Sequence, residues 1–469
     1  MKETTAQIAA ESIVDRLRAA GYEAYFAGGC VRDLLLGHEP ADFDIATDAR
    51  PDTVLAMFSR TFAVGAHFGV VLVADSIGER AAEEQEIVTE VATYRSDESY
   101  SDGRRPESVR FSDSAEEDVE RRDFTINGML LDPQTLRETG DVKASVLDYV
   151  DGRADLDARL VRAIGNPEKR FEEDKLRMLR AVRFAARFDF EIEAKTEAAI
   201  RRLAGGIGQV SRERIRDEVT RMLTEGRARR AFELLGRTGL LREVLPEIDR
   251  LHGVEQPPEF HPEGDVWVHT MMVIEQLPPG VSATLAWGAL LHDVGKPATF
   301  QRGPGRIRFN GHVEVGVKIA EDILRRLRFS NDETAQIVSL VENHMRFGDV
   351  AKMKDSTLKR FFRLPAFPEH LELHRMDSSA SHGDLSLYGF AKQRFEAVPQ
   401  EEVRPVLLVT GRDLIEAGYK PGPRFKELLA LAEDAQLEGR IRTKEEGMEL
   451  VKAEIGKQGS GEQGSAVNG

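Results

Sequence analysis

Asp42-Phe43-Asp44 places two carboxylates two residues apart. On a strand such residues share a face, so both acids would meet at one point. Hard oxygen ligands on a rigid element suit Mg2+ that is shared with nucleotide phosphates, and two such ions activate an attacking hydroxyl and stabilise departing pyrophosphate. A solvated acidic face has the same sequence. Just upstream, Gly28-Gly29-Cys30-Val31-Arg32-Asp33 sets two glycines between a strand and a helix. Backbone N–H groups there can approach a phosphate, with Arg32 as a planar cationic fork, although a tight turn reads alike. Downstream, Arg121-Arg122-Asp123-Phe124-Thr125-Ile126-Asn127-Gly128 joins a basic pair to an Asn-Gly turn. Arg122 could reach a triphosphate or belong to a surface ion-pair cluster.

Asp174, Arg177, Arg180 and Arg183 recur every three residues in a helical stretch. A carboxylate accepts from a base amino group and a guanidinium donates to ring nitrogens and carbonyls, so the row can mimic the edge of a complementary base. The alternative is an ion-paired solvent face. A second group follows: His269, the pair His292-Asp293, His312, His344 and Asp377, each in or beside a helical segment. Imidazole with carboxylate fits Mn, Fe, Ni or Zn, and hydroxide on such an ion can attack a phosphodiester.

The elements that must position these groups fall into blocks. Ile8, Ala9, Ser12, Ile13 and Leu17 give a helix over residues 5–20, ended by Gly21. Short strands are predicted at Tyr25–Ala27, Phe43–Ala46, Val70–Val73 and Ile87–Thr93, with a helix near 52–59. From about residue 153 the pattern is helical, with long stretches at 168–188, 211–224 and 227–236. Pro246 to Gly264 reads as a linker and 396–410 as another break. The end, rich in Gly, Ser and Gln, is predicted to be disordered.

A chain of 469 residues with 41% hydrophobic and 31% charged residues is long enough for two to four domains. No stretch approaches the roughly 20 apolar residues that cross a bilayer. Lys2-Glu3-Thr4-Thr5 has no signal pattern, so no membrane association and a cytoplasmic location are expected. The single cysteine, Cys30, excludes an internal disulfide and a cysteine-based zinc site. A net charge of −16 argues against nucleic acid as a partner unless arginines gather on one surface, as Arg170, Arg177, Arg180, Arg183 and Arg187 suggest. Lys352 to Arg363, with Phe361 and Phe362, reads either as a basic RNA-tracking helix or as an amphipathic helix with its phenylalanines in the core.

In their order and separations the four N-terminal segments resemble the motifs of the class II, bacterial-type tRNA CCA-adding enzyme and poly(A) polymerase family. The likeness extends through most of the chain. It implies an α+β head, a polymerase-β-like nucleotidyltransferase with a mixed sheet, over residues 1–152, followed by all-helical parts. These are a nucleotide-selecting, RNA-binding neck over 153–246, an HD domain over 247–395, a C-terminal tRNA-binding segment over 396–457 and a disordered tail over 458–469. By resemblance Gly29 and Arg32 contact the incoming nucleotide, Asp42 and Asp44 hold catalytic Mg2+, and Arg122 binds the triphosphate. Asp174 and Arg177 select CTP or ATP, supported by Arg180 and Arg183. Tyr94 to Phe111, with Tyr100, Asp102, Gly103, Arg104, Arg105 and Pro106, resembles the flexible loop that helps the family switch from C to A addition. Gly128 stands where the family often has alanine. Thr410 to Arg440 resembles the region whose helices support the elbow and acceptor stem of tRNA.

Leu290-Leu291-His292-Asp293-Val294-Gly295-Lys296-Pro297 resembles the HD superfamily of metal-dependent phosphohydrolases. By that resemblance His269, His292, Asp293 and Asp377 bind one metal, and His312 and His344 extend the set towards a second. The implied activity is removal of 2′,3′-cyclic or terminal nucleotide phosphates. The expected function is therefore CCA addition to tRNA from CTP and ATP, by a monomer or homodimer, with phosphohydrolase activity beside it. The alternatives are an A-adding, CC-adding or poly(A)-synthesising enzyme, and an HD phosphohydrolase on an RNA-binding scaffold.

Overall fold

The computed structural model describes residues 4–63, 69–76, 86–97, 109–259, 261, 264–303 and 306–459. Tyr100, Asp102, Gly103, Arg104, Arg105 and Pro106 of the expected loop lie outside the described residues, as does the tail from 460. The chain forms two compact units. One comprises Met1–Asp249, Leu277–Gly280 and Arg326–Arg328; the other comprises Arg250–Gln276, Val281–Arg325 and Phe329–Gly469.

The first unit is built on a mixed sheet. Its described strands are β1 (Ala24–Ala27), β2 (Asp44–Thr47), β3 (Thr61–Phe62), β4 (Val70–Ser76), β5 (Glu86–Thr93), β8 (Met129–Leu131) and β9 (Val146–Asp148), in the order β3-β4-β5-β2-β1-β8-β9. The intervening β6 (Arg95–Asp97) and β7 (Val109–Phe111) form a separate ribbon. β2 runs antiparallel to β1 and parallel to β5, with Ala27 opposite Asp44 and Ile45 opposite Val91. Phe26, Ile45, Val71, Val73 and Val91 are buried, which is why these β-branched and aromatic runs become strands. The Thr5–Ala19 helix packs Ala9, Ala10, Ile13, Val14 and Leu17 inward, and the Thr4 side chain accepts from Gln7 N–H at its start.

Two boundaries differ from expectation where the chemistry lies. β2 begins at Asp44, so Asp42 precedes the strand and is exposed. The stretch 168–188 is two helices, Pro167–Glu173 and Leu176–Phe188, because Asp174 is extended (φ −145) and its Oδ1 accepts from Leu176 N–H. A short polar side chain that bonds its own backbone competes with helix continuation.

In the second unit the helices Val266–Glu275, Ala283–Leu291, His312–Arg326, Asn331–Asn343 and Phe367–Ala380 carry or border the expected ligands. A hairpin of the short strands Gln301–Gly303 and Arg306–Arg308 interrupts the helices. A Cβ on Gly295 would lie 2.1 Å from the His312 carbonyl, so only glycine lets the turn after His292-Asp293 touch the start of the His312 helix. Phe347, Phe361, Phe362 and Phe367 form an aromatic core. Of the two readings of Lys352–Arg363, the amphipathic one matches this packing. Lys359 is bound to Glu402, Arg360 to Glu433 and Asp434, and Arg363 to Glu433. No helix among the described residues is long and apolar enough to cross a membrane.

Candidate functional site

A cleft of about 480 Å3 in the first unit collects most of the polar residues singled out there. Gly28, Gly29, Arg32, Asp44, Arg122 and Asn127 line one part; Asp174, Arg177, Arg180 and Arg214 line another. Gly28 has φ +75, and a Cβ on it would sit 3.1 Å from Arg122 Nη1, so the glycine serves both the left-handed turn and the approach of the guanidinium. Arg32 is buried and held in place: it donates to Asn127 Oδ1 at 2.6 Å and Asp33 Oδ1 at 2.7 Å, and lies 4.4 Å over the Phe188 ring. Arg122 is braced by buried Asp118 at 3.0 Å.

Asp44 sits among like charges. Burial, then Glu90 and Asp42, push its carboxyl up to about 7, with Arg122 opposing. Glu90 on β5, next to the Asp44 end of β2, is itself shifted up by loss of solvent and by Asp42. Crowded carboxylates of this kind favour a shared divalent cation, since its charge removes the repulsion. The residues present therefore fit Mg2+.

Along the far part of the cleft, Asp174 is clamped by Arg214, with Nη2 to Oδ2 2.7 Å. Arg177 pairs with Glu173 at 2.6 Å and donates to the Arg121 carbonyl. Arg180 donates to half-buried Asp123, which also accepts from Asn127. The basic-pair segment and the arginine helix are thus bonded to each other within one unit. Arg183 departs from the expected row: it is buried, bonded to Glu218 at 2.7 Å and to Glu225, and does not line the cleft. A step of three in a helix of 3.6 residues per turn falls about 60° short of a full rotation, so a row spaced by threes winds off its face.

Glu90, Asn127 and Arg214 were assigned no role by sequence reasoning. Glu90 follows Thr89 within a strand and reads as an ordinary solvent-facing strand residue. Arg214 lies among Arg212 and Arg216, and nothing in its spacing distinguishes it.

In the second unit all six expected ligands converge. His269, His292 and Asp377 form one group, and Asp293, His312 and His344 another, with ligand atoms within 4.8 Å of one another in each. Asp293 lies between them: Oδ2 is 3.2 Å from His292 Nε2, while Oδ1 is 3.8 Å from both His312 and His344 Nε2. Nδ1 of His292, His312 and His344 donates to the carbonyls of Ala289, Phe309 and Val341 respectively. That fixes each ring with its Nε2 turned towards the acids. Nε2 of His312 and of His344 is buried without a hydrogen-bond partner, and His269 and His292 Nε2 face each other at 3.3 Å. Imidazole nitrogens and carboxylates converging in this way fit a divalent metal. Burial pushes His344 down to about 4. Burial alone would raise Asp293, but Lys296 and His292 hold it well below the carboxylate range.

A mixed-sheet head whose acids share a cleft with a bonded arginine helix, joined to an HD-type histidine centre, defines a nucleotidyltransferase. Residues 24–162 match the Poly A polymerase head domain, 189–251 the probable RNA and SrmB- binding site of polymerase A, and 266–379 the HD domain. The CCA-adding enzyme of Levilactobacillus brevis is 31% identical over 92% of this chain and 94% of its own length. That of Bacillus pumilus is 31% identical over 93% and 94%. The crystal structure of the Bacillus stearothermophilus CCA-adding enzyme in complex with CTP superimposes with a TM-score of 0.70 at 27% identity, over 98% of this chain and all of that one. The chain belongs to the CCA-adding enzyme family.

Proposed function

We propose that this protein adds or repairs the 3′-terminal CCA of tRNA from CTP and ATP without a nucleic-acid template. The carrying observation is one cleft in which Asp44, with Asp42 and Glu90 beside it, shares walls with Arg32, Arg122 and the Asp174–Arg177–Arg214 group. Asp42 and Asp44, with Glu90 adjacent, would hold Mg2+, which would supply activation of the RNA 3′ hydroxyl and charge neutralisation for the leaving pyrophosphate. Arg32 and Arg122 bind the triphosphate, their guanidinium planes fixed by Asp33, Asn127 and Asp118, and Gly29 lets it approach the backbone. Asp174 accepts from the exocyclic amine that cytosine and adenine both carry, and Arg177 donates to the neighbouring ring nitrogen. Guanine and uracil present a carbonyl where Asp174 needs a donor. Arg180 supports this edge through Asp123, and Arg183 acts from behind, fixing the helix through Glu218.

Incubation with tRNA lacking its terminal trinucleotide tests the reading. CTP alone should add two residues, and CTP with ATP should restore CCA. Long A tracts on any RNA would instead mark a poly(A) polymerase, and the reading would fall.

The second unit supports phosphoester hydrolysis, carried by the two ligand trios bridged by Asp293. His269, His292, Asp293 and Asp377 would hold one divalent ion, and Asp293, His312 and His344 a second, from Mn, Ni, Fe or Zn, and these ions would supply hydroxide at neutral pH and polarise the phosphoryl group. The substrates are nucleotides or RNA ends with a 2′,3′-cyclic or terminal phosphate. Hydrolysis of bis(p-nitrophenyl) phosphate by Mn2+-loaded protein, lost in His292→Ala, is the expected result.

A further inference from the structure

A hollow of about 250 Å3 in the second unit opens onto both ligand trios, because His344 of one and Asp377 of the other are among its walls. Neither the HD pattern nor the metal chemistry requires its remaining lining. We infer that this hollow seats a terminal ribose phosphate, with His374 Nε2 donating to a phosphoryl oxygen. The inference rests on the hydrolytic reading of the adjoining centre and names which part of the substrate lies where.

His374 is one helical turn before Asp377, and its ring lies flat on buried Phe347, with centroids 4.4 Å apart and planes 6° apart. Its Nδ1 is 3.4 Å from Ser378 Oγ. With the serine hydroxyl donating there, the ring proton sits on Nε2. That nitrogen is buried and has no partner, although the residue is only 8% exposed and lines the hollow. A clamped donor with nothing to bond is a built site for an acceptor, since buried polar groups in native proteins almost always have partners.

A second donor stands on the rim. His382 Nδ1 accepts from Asp384 N–H at 3.0 Å, which leaves the neutral ring's proton on Nε2. The acid of the rim, Asp384, is already engaged at 2.8 Å by Ser386 N–H. Leu387 and Met345 complete the wall with apolar surface suited to a sugar face. The volume falls below the range of about 300–1,000 Å3 typical of pockets for whole small-molecule ligands, so a base has to remain outside. Two imidazole donors, small size and contact with both metal sets describe a ribose phosphate at a chain end.

The test is isothermal titration of Mn2+-loaded, full-length protein with inorganic phosphate, with 3′-AMP and tRNA ending in a 3′ phosphate as competitors. His374→Phe keeps the stack on Phe347 and removes the donor. It should weaken phosphate at least tenfold without changing the bound Mn2+ or nucleotide addition. His382→Ala, on an exposed residue, should weaken it several-fold and covers the case in which the first variant misfolds. Displacement of phosphate by 3′-AMP or by the tRNA supports the assignment and tells a free nucleotide from an RNA end. Phosphate that fails to bind the loaded protein, binds equally to both folded variants, or is displaced by neither competitor overturns it. Binding that depends on His374 without ester hydrolysis would uphold the pocket and reject the hydrolytic reading. Hydrolysis with a KM indifferent to both variants would do the reverse.

Discussion

The two centres solve the problem of clustered acids in opposite ways. In the first unit Asp44 shares space with Asp42 and Glu90, only Arg122 opposes them, and its carboxyl rises to about 7. In the second, Asp293 and Asp377 are surrounded by imidazoles and Lys296 and are held low, while His344 is pushed to about 4. At neutral pH Asp293 and Asp377 are ionised and His344 is neutral, the forms that ligate a metal. The carboxylate centre is only partly ionised until a cation arrives.

His292→Ala should separate the two centres most sharply: phosphoester hydrolysis falls by at least about a thousandfold, while CCA addition stays within twofold of wild type. Metal analysis should show loss of Mn2+ from the second unit. Retained hydrolysis would break the contrast.

Arg214→Ala leaves Asp174 without its clamp and should cut discrimination for CTP and ATP over UTP by about tenfold, read from kcat/KM ratios. An unchanged ratio would mean that Arg214 serves packing alone. The pH behaviour follows from the shifts. Asp44 has a raised pKa, so protons compete with Mg2+ as pH falls through 7. The apparent Mg2+ affinity for nucleotide addition should drop about tenfold from pH 8 to pH 6. Metal affinity at the histidine centre should hold across that range. Equal pH dependence at both would erase the difference. The smallest effect concerns Gly128, where a Cβ would press on Ile164 and Val150 at 2.9 Å. Gly128→Ala should cost about 1 kcal/mol in denaturant unfolding, with catalysis intact, because larger neighbours occupy the space that an alanine needs.

How far the sequence could be read varied with the kind of signal. Strands β1, β2, β4 and β5 were legible from their residue types, whereas β3, β8 and β9 are too short to leave a signal, and the six histidines and aspartates that converge in the second unit stood out by residue type and order. The arginine row was legible in outline, yet Arg183 was misplaced by treating a three-residue step as one face and by missing the break at Asp174. Glu90 and Arg214 were out of reach, since each acquires its place only through a neighbouring strand or helix. The net charge of −16 was misleading as a global quantity: six arginines against three aspartates line the 480 Å3 cleft. Local field, not total charge, decides what a cleft attracts.

Nucleotide incorporation by Asp44→Ala into tRNA lacking its terminal trinucleotide probes the carboxylate cluster most directly. The expected result is a loss of addition of at least about a thousandfold, with Mn2+-dependent ester hydrolysis unchanged in the same preparation. A folded Asp44→Ala protein that still completes CCA at a tenth of the wild-type rate would place the catalytic metal somewhere else.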